Sequence, residues 1–334
     1  MNTRRKLLLV MAGMGGLAGL GLWDRPVGSS ALARVSRTSR ALGADVTMTA
    51  LHASRETAER ALGAAFDELE LVENILSLYR PESEISQLNR EGVLEHPHPY
   101  FVSVLECARE VSLKTSGAFD VTVQPLWELY ASAQKEGCLP EDDAINANCA
   151  RVDYRKLEIT SERVRLNKDM AITLNGIAQG FAADRVLAAL QAHGIENALV
   201  NTGELGAVGH KNGGQPWTAG IQHPRRADAL ISAAALDGRC MATSGDYATA
   251  FTPDRSYNHI FDPATGRSPQ TFSSVTVVAS SGMDADALST AVFVLGFANG
   301  LRLIQQWPGA DALFVLKDET VLATAGFPMR ALRV

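Results

Sequence analysis

Apolar residues recur along this chain in two spacings, one helical and one of period two. Gly43 to Leu51 alternates loosely and predicts a first strand. Ser54 then stands where it can cap a helix, because Ala58, Leu62, Ala65, Phe66, Leu69, Val72, Ile75 and Leu76 follow at helical spacing. A second helical stretch covers Phe101 to Thr115, after which Gly117 opens a loop leading to Phe119 and Asp120. From Arg151 the pattern breaks into short runs at Leu157–Ile159, Val164–Leu166 and Met170–Leu174, separated by charged turns. Gly180 to His193 is helical again, and Ala198–Asn201, Thr218–Gln222, Ser274–Ala279 and Leu313–Leu316 predict strands. Helices bracketing hairpin-like strands indicate an α+β fold with largely antiparallel sheets rather than a βαβ repeat. No repeat or low-complexity linker divides the chain, so a single compact unit is expected.

The ends change the picture more than the composition does. With 46% hydrophobic and 20% charged residues, the 334-residue chain has an ordinary globular make-up. A net charge of -6 offers no broad basic field for nucleic acid. The first residues are distinctive: Thr3-Arg4-Arg5-Lys6 precedes an apolar run from Leu7 to Leu22, and Ala31-Leu32-Ala33 supplies a small-x-small cleavage pattern. Residues 1–33 therefore predict an export signal, with the mature body starting near Arg34. The paired arginines also fit a twin-arginine signal, which carries folded cargo, and an uncleaved membrane anchor is the other reading. No later stretch stands out as a membrane span. The expected location is the periplasm or the outer face of the cytoplasmic membrane. Cys107, Cys138, Cys149 and Cys240 form no CxxC pair, which disfavours thiolate metal chemistry and leaves disulfides and free thiols both open.

Three groups of residues can carry chemistry. Asp284-Ala285-Asp286-Ala287-Leu288-Ser289-Thr290-Ala291 follows an apolar strand and opens an apolar helix running toward Gly296. Asp286 and Thr290, four apart, share one helix face, and a carboxylate with a hydroxyl suits a hard cation such as Mg²⁺. The same spacing equally fits a capping aspartate followed by a threonine bonded to its own helix. In Tyr257-Asn258-His259-Ile260-Phe261-Asp262-Pro263, His259 can act as a base near neutral pH or as a structural histidine. Glycine-bearing turns occur at Leu174–Gly180, Asn201–Gly206 and Thr243–Tyr247, the first at a loop-to-helix junction where backbone amides can hold phosphate. None matches the dinucleotide or phosphate-loop patterns.

Taken in order, these segments resemble the ApbE family of FAD:protein FMN transferases. The resemblance is carried by Ser77–Asn89, Gly117–Leu126, Leu174–Gly180, Asn201–Gly206, Thr243–Tyr247, His259–Gly266 and Ser274–Gly296. It implies an ApbE-like fold and a magnesium-dependent enzyme that takes FAD as substrate. Such an enzyme moves FMN to a threonine hydroxyl of a partner flavoprotein and releases AMP. It further implies Asp286, Thr290 and the carbonyl of Gly176 as metal ligands, and His259 as the group that activates the acceptor hydroxyl. Leu42, Tyr79, Ala118, Phe119, Asp120 and Ile260 are the implied flavin-nucleotide contacts, with Thr173 and Gln179 beside the nucleotide. Thr173 replaces the family's usual Asp and Gln179 its usual Lys, so one negative and one positive charge are both lost. Hydrolysis of FAD to FMN and AMP, or a non-catalytic flavin-binding role, would use the same site. A membrane enters only through an uncleaved signal or a membrane-bound acceptor.

Overall fold

A computed structural model describes residues 32–331, so the predicted export signal lies outside the described residues except for Leu32 and Ala33. Strands β1 (Ala33–Ala41) and β2 (Ala44–His52) form a hairpin that turns at Leu42–Gly43, both with positive φ. Helix α1 (Arg55–Leu76) follows, then α2 (Glu84–Glu91), β3 (Val93–Glu95) and α3 (Pro99–Lys114). Helices α4 (Gln124–Lys135) and α5 (Asp142–Cys149) precede the short β4 (Glu158–Ile159) and β5 (Arg163–Arg165). Helix α6 (Ala178–Ala192) leads into β6 (Asn197–Asn201), β7 (Leu205–Val208), β8 (Trp217–Gln222), β9 (Leu230–Leu236) and β10 (Cys240–Gly245). A long loop connects to β11 (Phe272–Ala279), and α7 (Gly282–Gln306), β12 (Asp311–Leu316), β13 (Val321–Ala323) and β14 (Met329–Arg330) complete the chain.

Eight strands form one sheet in the order β1-β2-β6-β7-β10-β11-β12-β13, and every described strand pairing is antiparallel. Helices α1, α6 and α7 cover one face of it. The other face packs on the three-stranded sheet β14-β9-β8. This three-layer arrangement is what an alternating strand demands when both its faces are covered. Val275 and Val277 face the helices, Val278 faces the second sheet, and all eight residues of β11 are buried. Each large apolar side chain so buried contributes about 1.5–3 kcal/mol. The α+β, mostly antiparallel, single-unit expectation holds.

Several local expectations are corrected. Met170–Leu174 forms no strand; Asn89 holds it instead, through Ile172 N–H to Asn89 Oδ1 at 2.7 Å and Asn89 Nδ2 to Ile172 O at 2.8 Å. The first strand is preceded by another, β1. All four cysteines are free thiols, one of the two readings the sequence left open. Among the described residues α7 is long and apolar enough to cross a membrane, contrary to the sequence expectation. Its apolar length is explained by packing, since Ala287, Leu288, Ala291, Val292 and Phe293 are fully buried in the core against β10 and β11.

The crossing of α6 and α7 fixes the centre of the molecule. A Cβ on Gly180 would lie 2.0 Å from the carbonyl oxygen of Gly282, and one on Gly282 would lie 2.4 Å from that of Gly180. Only hydrogen fits between these backbones. Gly180→Ala is therefore expected to cost more than the about 1–3 kcal/mol of ordinary overpacking, because no side chain can move aside. Thermal unfolding followed by circular dichroism checks this; a melting temperature equal to that of the unaltered chain would refute the contact.

Candidate functional site

The first turn of α7 is capped by Ser281, whose Oγ accepts the Asp284 N–H at 3.0 Å. Asp184 on α6 adds a carboxylate there, accepting from Gly282 N–H at 2.6 Å and Met283 N–H at 2.9 Å. A negative group at a helix N-terminus is the favourable arrangement. The end of α7 is thus satisfied before Asp286 is reached, and Asp286 is not a cap.

Asp286 is buried, and its Oδ2 accepts the Gly180 N–H at 2.9 Å. Burial pushes its carboxyl well above the ordinary carboxylate range. The N–H groups of Gly180 and Gln179 pull it back, while the Asp184 charge pushes it further up. One turn on, the Thr290 Oγ1 lies 3.0 Å from Ser244 Oγ on β10, which itself contacts Ser289 Oγ at 2.8 Å. It is Ser289 that bonds back to its own helix, to the Asp286 carbonyl at 2.9 Å. The capping-and-back-bonding alternative for Asp286 and Thr290 is therefore not what this helix does.

Gly176 completes the group from the loop ahead of α6. A Cβ there would lie 3.1 Å from Thr290 Oγ1 and 3.5 Å from the Phe119 ring, so the glycine leaves room beside the hydroxyl. Among the described residues no cluster of three or more His, Cys, Asp or Glu could hold a metal. The donors here are of another kind: one carboxylate, hydroxyls from Thr290 and Ser244, and a main-chain carbonyl. An all-oxygen set with a single charge fits Mg²⁺, which is held by one or two carboxylates and completed by substrate phosphate and water.

Leu42, Tyr79 and Gln179, far apart in sequence, line one cleft with Ser77, Asn175 and Ala178. The cleft is narrow and open to solvent on one side. Tyr79 is exposed and its ring lies over Gly43, where a Cβ would stand 2.8 Å from Cε2. Leu42 is held by both backbone groups: its N–H donates to Glu73 Oε1 at 2.9 Å and its carbonyl accepts Gln179 Nε2 at 3.3 Å. The Gln179 amide also fills the space over Gly203, whose φ of +105° suits glycine. Thr173 is half-buried, its N–H donating to Val121 O at 2.8 Å and its Oγ1 accepting from Asn175 N–H at 3.3 Å.

Ala118, Phe119 and Asp120 follow α3 through a tight turn in which Ser116 and Gly117 have positive φ. Phe119 is buried against Gly176. Asp120 is buried too, and its carboxylate holds its own loop, with Oδ1 accepting from Thr122 N–H at 2.8 Å and Thr122 Oγ1 at 2.6 Å and Oδ2 from Tyr154 N–H at 3.0 Å. Burial raises its pKa while those bonds lower it.

His259 and Ile260 lie on the loop between β10 and β11. His259 Nδ1 is 3.2 Å from the Thr249 carbonyl, and the main-chain N–H of His259 donates to the same oxygen at 3.0 Å. A carbonyl there selects the Nδ1–H tautomer and puts the ring's lone pair on Nε2. Ile260 is buried, its N–H donating to Asn258 Oδ1 at 3.0 Å. The loop is anchored at its start by Asp246, fully buried, which binds Arg225 at 2.7 and 2.8 Å and Lys317 at 2.6 Å. Asp184 was not singled out by sequence pattern, and Ser244 and Asp246 entered only as members of the glycine-bearing turn Thr243–Tyr247. Their partners are distant in the chain, and only the strand alternation of β10, which points Ser244 toward the helices, could have suggested that residue.

The oxygen-bearing side chains of Asp286 and Thr290 thus stand close to a cleft walled by Leu42, Tyr79 and Gln179, with Gly180 bonded to the one and Gln179 lining the other. The sequence model of the ApbE family matches residues 42–314, and the chain belongs to that family. It is a transferase. The FAD:protein FMN transferase of Treponema pallidum is 32% identical over 302 residues, covering 83% of each chain. That of Vibrio cholerae is 35% identical over 251 residues, 71% of this chain and 74% of its own. Among solved structures, the flavin transferase ApbE from Vibrio cholerae superposes with a TM-score of 0.76 at 27% identity, covering 89% of this chain and 98% of its own. The ApbE protein of Thermotoga maritima does so at 0.79 and 28%, covering 88% and 97%.

Proposed function

We propose that this chain transfers FMN from FAD to a threonine hydroxyl of a partner flavoprotein, releasing AMP, with Mg²⁺ bound at Asp286, Thr290 and the Gly176 carbonyl. The observation that carries the reading is that Asp286 and Thr290 of α7 meet Gly180 and Gly176 next to Asn175, Ala178 and Gln179, which wall the cleft shared with Leu42 and Tyr79. The relatives named for this reaction support it. When bound, the cation would neutralise pyrophosphate charge and orient it for in-line displacement.

The chain's own residues do the rest. Tyr79 and Leu42 offer apolar surface to a ring system, and Gln179 offers a neutral amide where a charged side chain is usual. The acceptor's threonine oxygen forms the new bond to the FMN phosphorus as the bond from that phosphorus to the bridging oxygen of AMP breaks. His259 Nε2 takes the hydroxyl proton, and AMP leaves with the bridging oxygen. Loss of Asp and Lys at Thr173 and Gln179 removes opposite charges, which leaves the local balance nearly unchanged. Action outside the cytoplasm, after export directed by residues 1–33, belongs to the same proposal.

The test incubates the protein with FAD, Mg²⁺ and a candidate acceptor domain, following AMP and acceptor mass. An FMN-sized mass gain is expected. AMP without mass gain would mean hydrolysis, and neither product would mean a binding role. His259→Ala is expected to slow transfer by about 10²–10⁴-fold, the usual contribution of a general base, with FAD affinity by calorimetry unchanged. Transfer at the unaltered rate would dismiss His259 as the base.

A further inference from the structure

A second cavity lies one helical turn beyond Thr290. Positions 286, 290 and 294 repeat every four residues, so Val294 continues the stripe of Asp286 and Thr290 at an axial step of about 6 Å. Val294, Leu295 and Gly296 form one wall of an open groove. The facing wall is the stretch 265–271, including Arg267, Gln270 and Thr271. That wall belongs to the loop that carries His259, and the two are tied directly, since Ser268 Oγ accepts the Asn258 N–H and donates to the Asn258 carbonyl, both at 2.8 Å. The groove is therefore bounded on one side by the helix of the candidate metal ligands and on the other by the loop of the candidate base.

Its chemistry suits a neutral chain better than a phosphate. Arg267 is the cation in the wall and is already matched, with Nη2 2.6 Å from Asp142 Oδ1 and Nη1 3.1 Å from Tyr257 Oη. Asp262 is engaged within its own turn by Ala264 N–H at 2.9 Å and Thr265 Oγ1 at 3.1 Å. What remains is hydroxyl and amide surface: Gln270 donates Nε2 to Ser256 O at 2.6 Å and Ser268 O at 2.8 Å, which turns its carbonyl oxygen into the available acceptor. At Gly296 the helix is interrupted by φ +73° and ψ 178°, with Thr271 Oγ1 3.4 Å from where a Cβ would stand. An interrupted helix beside a loop makes a trough rather than a smooth cylinder.

We infer that this groove seats the acceptor, an extended segment of the partner flavoprotein lying between residues 265–271 and the interrupted stretch of α7. Its threonine then sits at the end nearest Thr290 and His259. This inference rests on the transferase reading above. FAD occupies the other cleft, so the two substrates approach the metal-binding turn from different sides.

Thr271 is exposed and belongs to no part of the catalytic group, so a large side chain there fills the groove without touching the core. The experiment uses the full chain and the acceptor domain that gains mass with it. In Thr271→Trp and Thr271→Tyr, KM for the acceptor is expected to rise by about tenfold or more, with kcat at saturating acceptor within about twofold, the signature of lost binding alone. FAD affinity and melting temperature should be unchanged. An unchanged acceptor KM in both variants, with the unaltered chain active, would overturn the groove assignment alone. A rise in KM for FAD rather than for acceptor would also overturn it, since the groove would then serve the nucleotide. No mass gain with the unaltered chain would remove the transferase reading and this inference together.

Discussion

Asp286→Asn is expected to abolish turnover while leaving the fold intact. The side-chain oxygen of asparagine can still accept the Gly180 N–H that Asp286 accepts at 2.9 Å, so the α6–α7 contact keeps its hydrogen bond. What is lost is the charge. Burial and Asp184 already disfavour that charge in the protein alone, so its retention costs stability unless a cation balances it. Losing about 4 kcal/mol of transition-state stabilisation corresponds to about a thousandfold in rate. Alanine at the same position would add a separate defect, an unpaired Gly180 N–H worth about 1–3 kcal/mol. The measurement is AMP release alongside melting temperature with and without Mg²⁺. The unaltered chain should gain about 2.7 kcal/mol of stability at a hundredfold excess of Mg²⁺ over Kd, read as a higher melting temperature, and Asp286→Asn should not. Full turnover in Asp286→Asn would refute the metal assignment.

The largest loss of stability is expected from Asp246→Ala. Asp246 is fully buried between Arg225 and Lys317, whose side chains keep only 21% and 28% exposure. Its removal leaves two neighbouring cations without their buried counter-charge, and breaking a buried pair in this way costs about 3–5 kcal/mol. The Arg225 Nη2 bond to Ser273 Oγ at 2.7 Å joins this cluster to β11. Both ends of the His259 loop therefore depend on it. Urea unfolding is the check: a midpoint unchanged from the parent chain would show that the cluster contributes nothing. Because the cluster lies at the root of the loop, His259 should also lose its position, lowering transfer further than the population of unfolded chain explains.

The legible part of the fold was its long helices. α1 shows its stripe over 22 residues, and Ser54 caps it as expected, accepting the Thr57 N–H at 3.2 Å. Helices α2 and α5 have eight residues each, too few for a period to emerge. Strand β9 was hidden for another reason: Leu-Ile-Ser-Ala-Ala-Ala-Leu favours a helix by propensity, and the strand survives because two sheets bury it. In β1 the alanines near position 33 read as a cleavage signal rather than as the start of a strand. At the site, the Asp286–Thr290 spacing carried the helix face directly. Ser244 meets Thr290 across 46 positions and Asp184 meets Gly282 across 98, and such pairings depend on the tertiary path of the chain.

The backbone contact of Gly180 with Gly282 has a kinetic corollary. Two rods touching atom on atom cannot slide without first separating, so the amides ahead of one and the oxygen donors on the other keep a single spacing whether or not substrate is present. An arrangement fixed in advance spends no reorganisation at the moment of reaction. Turnover should then be paced by the encounter between two proteins and by departure of the modified product, not by assembly of the centre itself.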